Sequence, residues 1–371
     1  MPGKIKPNVE AFARIKVVGV GNSGVNAVNH MVNSKLKGVE FIAIDTDAQK
    51  LHHSLASKKI HIGKNLTRGL GGGMNPDIGR QAAEETKESI QETIKGADMV
   101  FVACGFGGGT GTGAAAIVAK IAKDQGILTI AVVTKPFSFE GAQRMRLAEG
   151  GLVDLKEAVD AMIVIPNDRI LGVIEKETSF TDAFKMCNEI LRYAVEGISD
   201  LITMPGIVNV DFADVRAIMQ DAGSALMGIG SADGENRAEN AAKMAINSPL
   251  LDLSIDGAKG VLFAISGGEN MTMLEIQEAA NIITDSIDGE AKVIFGAIND
   301  DRLKKGEIKV TVIASGFPEG KGAKKPSLFS SSQDREKKDE ADKKQAQEAS
   351  PEKKEEDQWD AVPAFLRRKR D

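Results

Sequence analysis

Aromatic residues are scarce in this chain. It has one Trp and one Tyr, and Phe, Trp and Tyr together make up 4% of 371 residues. Its cores must therefore be built from Ile, Val, Leu, Ala and Met. Cysteine is also rare. Cys104 and Cys187 are the only two, both in apolar surroundings and without metal-ligand spacing. That excludes a disulfide framework or a zinc cluster and reads as reduced core thiols of a cytosolic protein. No apolar run approaches the ~18 residues of a membrane helix, and no charged-then-apolar leader opens the chain. The expectation is a soluble, cytoplasmic protein. Positive charge is not in excess: the net charge is −6, which argues against nucleic acid as the main partner. The four histidines, His30, His52, His53 and His61, all fall early, and no chemical role can be assigned to any of them.

Glycine, by contrast, is abundant and patterned. The run Gly107-Gly108-Gly109-Thr110-Gly111-Thr112-Gly113 follows an apolar stretch at 99–104 and precedes an alanine-rich stretch at 114–122. The first reads as a buried strand, the second as a helix. A glycine-rich turn from strand to helix points backbone N–H groups at an anion, and the helix dipole favours negative charge there. Without Cβ atoms a phosphate can approach the backbone closely.

Strands and helices alternate from Arg14 onward. Apolar runs at 15–20, 41–44, 99–104, 128–133 and 161–165 are separated by helix-like stretches. Continuous apolar strands between helices predict a parallel sheet covered on both faces, with its loops for phosphate at the carboxyl edge. Phe184, Cys187, Leu191, Ala194, Ile198 and Leu201, widened by Ile190, Val195 and Ile202, predict a long helix with a broad apolar stripe, stopped by Pro205-Gly206. Such a stripe suits burial between two domains. Beyond it, strands at 260–266, 292–297 and 308–314 and helices at 214–224, 236–247 and 273–286 predict an α+β domain. Residues 320–357 hold almost nothing apolar and predict a disordered linker. Apolar residues then return at Trp359, Val362, Pro363, Phe365 and Leu366, followed by Arg367-Arg-Lys-Arg370. This pattern reads as a docking peptide.

Gly19-Val-Gly21-Asn-Ser-Gly24, with Asp45 about twenty residues on, fits the dinucleotide fingerprint. Taken alone it points to an NAD-dependent oxidoreductase. The second glycine loop has no role in such a fold, and no hydride-transfer constellation accompanies it.

The glycine heptapeptide resembles the tubulin signature in its bacterial form. The resemblance to the FtsZ family of tubulin-like cell-division GTPases runs from Ile15 to Phe317 and resumes from Trp359 to Arg367. It is carried also by Thr67-Arg-Gly-Leu-Gly71, Lys135-Pro-Phe-Ser-Phe-Glu-Gly141, Ile165-Pro-Asn-Asp-Arg169, Gly197-Ile-Ser-Asp-Leu-Ile-Thr203, Asn209-Val-Asp-Phe-Ala-Asp214 and Gly223-Ser-Ala-Leu-Met-Gly-Ile-Gly230. It implies a tubulin-like two-domain α/β fold. A flexible arm (1–13) precedes a parallel-sheet GTP-binding domain (14–178). A central helix (179–204) then leads to a smaller α+β activating domain (205–317), a disordered linker (318–358) and a partner-binding peptide (359–371).

The resemblance also implies GTP or GDP with Mg²⁺. Gly21, Asn22, Ser23, Gly24 and Val25 would form the first phosphate loop, and Asn26 would meet the guanine. Gly71, Gly72 and Gly73 would sense the γ-phosphate. Gly107, Gly108, Gly109, Thr110, Gly111 and Thr112 would form the main loop. Glu140 and Arg144 would contact ribose and phosphate, Asn167 would lie at the same edge, and Phe184 and Asn188 would meet the base. As charged loop residues, Glu140 and Arg144 fit a surface ion pair equally well. No direct protein ligand to a metal is expected.

Three positions depart from the family pattern. Asn22 and Ser23 replace the middle pair of four glycines. Asp45 stands where Asn is usual. Asn188 stands where Asp usually reads guanine, so that contact loses a charge.

The family completes hydrolysis with an acidic loop from the adjoining subunit of a filament. Asp211, Asp214 and Asn209 match that loop, although Asp211 also suits a helix N-cap. The implied protein polymerises head-to-tail and acts at the mid-cell division ring. Its peptide at Trp359, Val362, Pro363, Phe365, Leu366 and Arg367 would bind membrane-associated division proteins, with weak anionic-lipid contact through the basic end. A nucleotide-binding structural polymer with little turnover is the other reading of the same resemblance.

Overall fold

The computed structural model describes residues 13–172, 178–204, 206–248, 255, 257–300 and 302–317. The expected arm (but for Ala13), linker and peptide, and Pro205, lie outside the described residues.

The first half runs β1 (Ile15–Val20), α1 (Gly21–Asn33), β2 (Val39–Asp45), α2 (Ala48–His53), β3 (Lys58–His61), α3 (Lys64–Thr67), α4 (Pro76–Glu85), α5 (Lys87–Ile94), β4 (Met99–Gly105), α6 (Thr110–Asp124), β5 (Leu128–Lys135), a 3₁₀ turn (Ser138–Glu140), α7 (Ala142–Ala158), β6 (Ala161–Pro166) and α8 (Asn167–Leu171). The second half runs α9 (Phe180–Thr203), β7 (Gly206–Val208), α10 (Phe212–Met219), β8 (Gly223–Ala232), α11 (Arg237–Ile246), β9 (Gly260–Gly267), α12 (Met273–Thr284), β10 (Lys292–Asn299) and β11 (Ile308–Ser315).

The strands lie in the order β3-β2-β1-β4-β5-β6-β8-β11-β9-β10-β7. From β3 to β6 every pairing is parallel. Side chains alternate between the two faces. Ile15, Val17, Met99, Phe101 and Ile130 enter one core, with α1 and α9. Val18, Val20, Val100, Val102 and Val133 enter another, with α4 to α7. Burial on both faces explains why these strands read as near-continuous apolar runs.

Helix α9 has 24 residues. Its Ile190, Leu191, Ala194, Val195, Ile198 and Leu201 share one core with Ile130 and Val132 of β5 and with Leu262 and Ile313 of β9 and β11. The expected stripe is thus buried against strands of both halves. Ser179 starts the helix by accepting from the Asp182 amide.

Buried charge flanks the stripe: Glu196 and Asp200 are 4% and 7% exposed. Arg302 bridges Glu196 at 2.8 Å, Asp200 at 2.5 Å and Asp300 at 2.7 Å. Lys309 adds a contact to Glu196 at 3.5 Å. Burial pushes the Asp200 carboxyl up to about 6, against the pull of Arg302.

One expected element is wrong. The helix predicted over 214–224 ends at Met219, and Gly223 opens strand β8. Gln220 adopts an extended conformation, and Asp221 and Gly223 take positive φ values of 51° and 68°, which reverse the chain. Ala, Leu and Met favour helix locally. Here pairing overrides them: β8 aligns with β6 over Gly223–Ala225 and with β11 over Leu226–Ala232.

Candidate nucleotide site

The C-terminal ends of β1, β2, β4, β5 and β6 share one edge of the parallel sheet, where a crevice is expected. The cavity there measures about 380 Å³. Its walls bring together Gly21, Asn22, Ser23 and Asn26 from the start of α1, Gly71 and Gly72 from the loop before α4, and Gly108, Gly109, Thr110 and Gly111 from the β4–α6 turn. Glu140, Arg144, Asn167, Phe184 and Asn188 complete it.

The two glycine loops touch. Gly21 has φ +71°, and a Cβ there would lie 2.8 Å from the Gly111 nitrogen. A side chain would force the loops apart. A Cβ at Gly108, by contrast, would meet nothing within 4 Å, so this backbone is bare toward open space. Thr110, at the start of α6, is buried and shares a 2.6 Å hydrogen bond with the Thr46 hydroxyl.

Five expected residues do not line the cavity. Gly24 sits where a Cβ would be 2.3 Å from the Ala103 carbonyl; it permits close packing of α1 on the sheet. Val25 is 1% exposed and belongs to the core. Thr112 accepts from the Gly107 amide at 2.9 Å, so both shape the turn from within. Gly73 has φ +57° and lies exposed in its loop.

Asp45, Asp47, Phe106, Thr134, Pro136 and Cys187 also line the cavity. All but Asp45, noted above as the acid of the dinucleotide fingerprint and as a departure from the family pattern, escaped the sequence reading. Thr134 is the next-to-last residue of β5, so the edge rule alone could have found it. Burial pushes the Cys187 thiol up to about 12, which makes it a wall atom and no nucleophile.

Two buried oxygens in the cavity wall have no hydrogen-bond partner: Asp45 Oδ2 and Asn167 Oδ1. Asp45 is 2% exposed. Its Oδ1 accepts from the Thr46 and Asp47 amides at 2.7 and 3.2 Å. Burial, with the charge of Asp47, holds its carboxyl above the usual range. Such orphaned acceptors are rare in folded proteins and suit a ligand bearing hydroxyl donors or a cation. Glu140 and Arg144 pair with each other at 2.6 Å, and Glu140 also accepts from the Phe137 amide at 3.0 Å.

Asp211, Asp214 and Asn209 are exposed and lie outside this cavity. Asp211 caps α10, accepting from the Ala213 amide at 3.3 Å. Asn209 accepts from the Gly206 amide at 2.7 Å. The residues expected to bind a partner, Trp359, Val362, Pro363, Phe365, Leu366 and Arg367, lie outside the described residues.

A larger groove, about 500 Å³, runs along α6 and α7. Its Arg80 is already paired with Asp154 at 2.7 Å, and no glycine loop enters it. Among the described residues no cluster of three or more His, Cys, Asp or Glu side chains could hold a metal, and no helix is long and apolar enough to cross a membrane.

Residues 14–175 match the GTPase domain of the tubulin/FtsZ family. Residues 223–318 match the FtsZ family C-terminal domain. Among solved structures, an FtsZ dimer from M. jannaschii is 45% identical, with a TM-score of 0.80 over 83% of this chain and 89% of that one. A GDP-bound CetZ monomer from Haloferax volcanii is 20% identical. It has a TM-score of 0.72 over 82% of this chain and 95% of that one, and shows the same fold. On this identity and coverage, the chain belongs to the FtsZ branch of the tubulin/FtsZ family of GTPases.

Proposed function

We propose that the cavity binds GTP and GDP, and that hydrolysis is completed by the next subunit of a head-to-tail filament. The phosphates would lie against the bare backbone at Gly108–Thr110 and the start of α1, and the base against Phe184 and Asn188. One observation carries the reading. The cavity unites two glycine loops with Phe184 and Asn188 of α9, while Asp211 and Asp214 follow the other end of that helix and stand exposed. That helix is about 36 Å long at 1.5 Å per residue, and Arg216, on the same helix as Asp214, meets the Asp98 carbonyl just before β4 at 3.4 Å, at the sheet edge opposite the cavity, so the acids lie away from their own subunit's cavity. The next subunit's cavity is the place for them. Head-to-tail contacts that do not close make filaments, and the M. jannaschii FtsZ relative has been solved as a dimer.

At such a junction the carboxylates of Asp211 and Asp214 orient and polarise a water for in-line attack on the γ-phosphorus, and a carboxylate accepts the water's proton as GDP leaves. Phosphoryl transfer needs mainly positioning and charge stabilisation. Mg²⁺, when bound, would neutralise charge on the β- and γ-phosphates, and the Asp45 and Asp47 carboxylates in the wall are the protein groups that fit it.

Residues 14–178 serve as the nucleotide-binding part and 205–317 as the activating part, joined by the helix at 179–204. The polar stretch 318–358 tethers the peptide at 359–371, whose apolar residues anchor on membrane-associated partners at the mid-cell division ring.

Phosphate release measured against protein concentration tests the shared site. Near-zero turnover at low concentration and a steep rise above a threshold is expected. Turnover strictly proportional to concentration would make each subunit self-sufficient. Nucleotide-dependent assembly with negligible phosphate release would leave a structural polymer.

A further inference from the structure

Four of the chain's 14 phenylalanines meet where the β5–α7 segment approaches the start of α9. Phe137 is 1% exposed. It stacks on Phe139 at 4.9 Å and meets Phe184 edge-on at 5.4 Å. Phe180, one turn before Phe184, lies 4.9 Å from it and 6.2 Å from Phe139. Of the four, Phe184 alone lines the cavity. Phe139 and Phe180 remain 60% and 68% exposed, so burial does not account for their being aromatic.

The turn that carries Phe137 and Phe139 is firmly held. Its Ser138 donates backbone N–H and hydroxyl to Asp168, and the Phe137 amide donates to Glu140. The first turn of α9 is tied to it through these rings. Phe139 and Phe180 thus close a cycle of four rings in which Phe180 meets Phe184 directly and Phe139 braces it through Phe137 and Phe180.

We propose that Phe139 and Phe180 are positioning residues that hold Phe184 against the nucleotide base and set guanine residence time and base discrimination. This rests on the reading that the base lies at the Phe184–Asn188 end. An aromatic pair contributes beyond its buried area, so each truncation should weaken GDP binding about three- to tenfold.

The test uses full-length protein below its assembly concentration, with fluorescent GDP displaced by GDP, ADP and inorganic triphosphate. F139A and F180A should lose GDP affinity by that factor through faster dissociation. Their preference for GDP over ADP should narrow, and triphosphate affinity should hold. F180L, which keeps an apolar side chain, should recover part of the loss. Unchanged GDP affinity in both variants overturns the proposal. So does an equal loss for GDP and triphosphate, which would mean general damage to the site. A raised assembly threshold with unchanged GDP affinity also overturns it and gives the pair to the subunit contact. If the wild type binds triphosphate no more weakly than GDP, the base site itself is misread and the proposal falls with it.

Discussion

Replacing Asp45 by Asn should stabilise the nucleotide-free protein, and the gain should depend on pH. Asp45 is 2% exposed, and its Oδ2 has no partner. An unsatisfied buried polar atom costs about 1–3 kcal/mol, and more when charged. Asn keeps the acceptor that Thr46 and Asp47 use and puts a neutral amide where the bare carboxylate oxygen was, which is cheaper to bury. The sign follows from the raised carboxyl pKa of the folded state. A raised value means the folded protein holds the proton more tightly than the unfolded chain. The stabilisation is therefore full below the unfolded value, near 3.9, and is lost as pH rises through the folded one. Asn does not titrate. D45N should match the wild type at pH 4 and exceed it by about 1–2 kcal/mol at pH 7.5, or about 2–4 °C in midpoint for a body of this size. Thermal unfolding in chelator from pH 4 to 8 reads this directly. A D45N midpoint at or below the wild type at pH 7.5 would refute the reasoning, as would a gain equally large at pH 4.

Three further outcomes are expected. Asn188→Asp should tighten GDP binding by about 1 kcal/mol, roughly fivefold, because a charged acceptor replaces a neutral one; calorimetric titration would show it, and weaker binding would mean residue 188 does not meet the base. Glu275 is held down to about 2, first of all by its hydrogen bond from Arg237 at 2.6 Å, so its stabilisation is present above pH 4.5 and lost as pH falls toward 2. Because the pair is partly open to solvent, E275Q should cost about 1–2 kcal/mol at pH 7 and converge with the wild type in acid unfolding curves; a constant gap down to pH 2 would deny that linkage. Deleting residues 318–371 should leave GTP turnover and assembly largely intact in solution while abolishing recruitment to the division site in cells, as seen with a fluorescent fusion; loss of assembly would place the tail in the filament.

The parallel sheet was legible because both of its faces are buried. Runs such as 99–104, apolar throughout, and 128–133, apolar but for Thr129, stand out, so β4 and β5 were found to within one or two residues. The short strands β3 and β7, of four and three residues, carry too little pattern to read. Strand β8 was hidden by helix-favouring Ala, Leu and Met, and only its long-range register with β11 makes it a strand. At the site, the glycine loops announced themselves by spacing. Cys187 and the ring cluster that includes Phe184 did not, because residues distant in sequence bring them together. The ion pairs of Arg302 with Glu196 and Asp200 were invisible for the same reason.

The claim that two subunits share one active site is tested most directly by mixing two inactive variants. D211A keeps its own cavity and loses the acid. Gly109→Ser keeps the acid and spoils the cavity, since a Cβ there would lie 2.8 Å from the Gly72 carbonyl oxygen. With incorporation of both checked by co-sedimentation, each alone should release almost no phosphate from GTP. An equal mixture should regain about a quarter of wild-type turnover, because that share of head-to-tail junctions pairs an intact cavity with an intact acid. A mixture as inactive as its components, or D211A protein that no longer binds GTP as a monomer, would contradict the shared site.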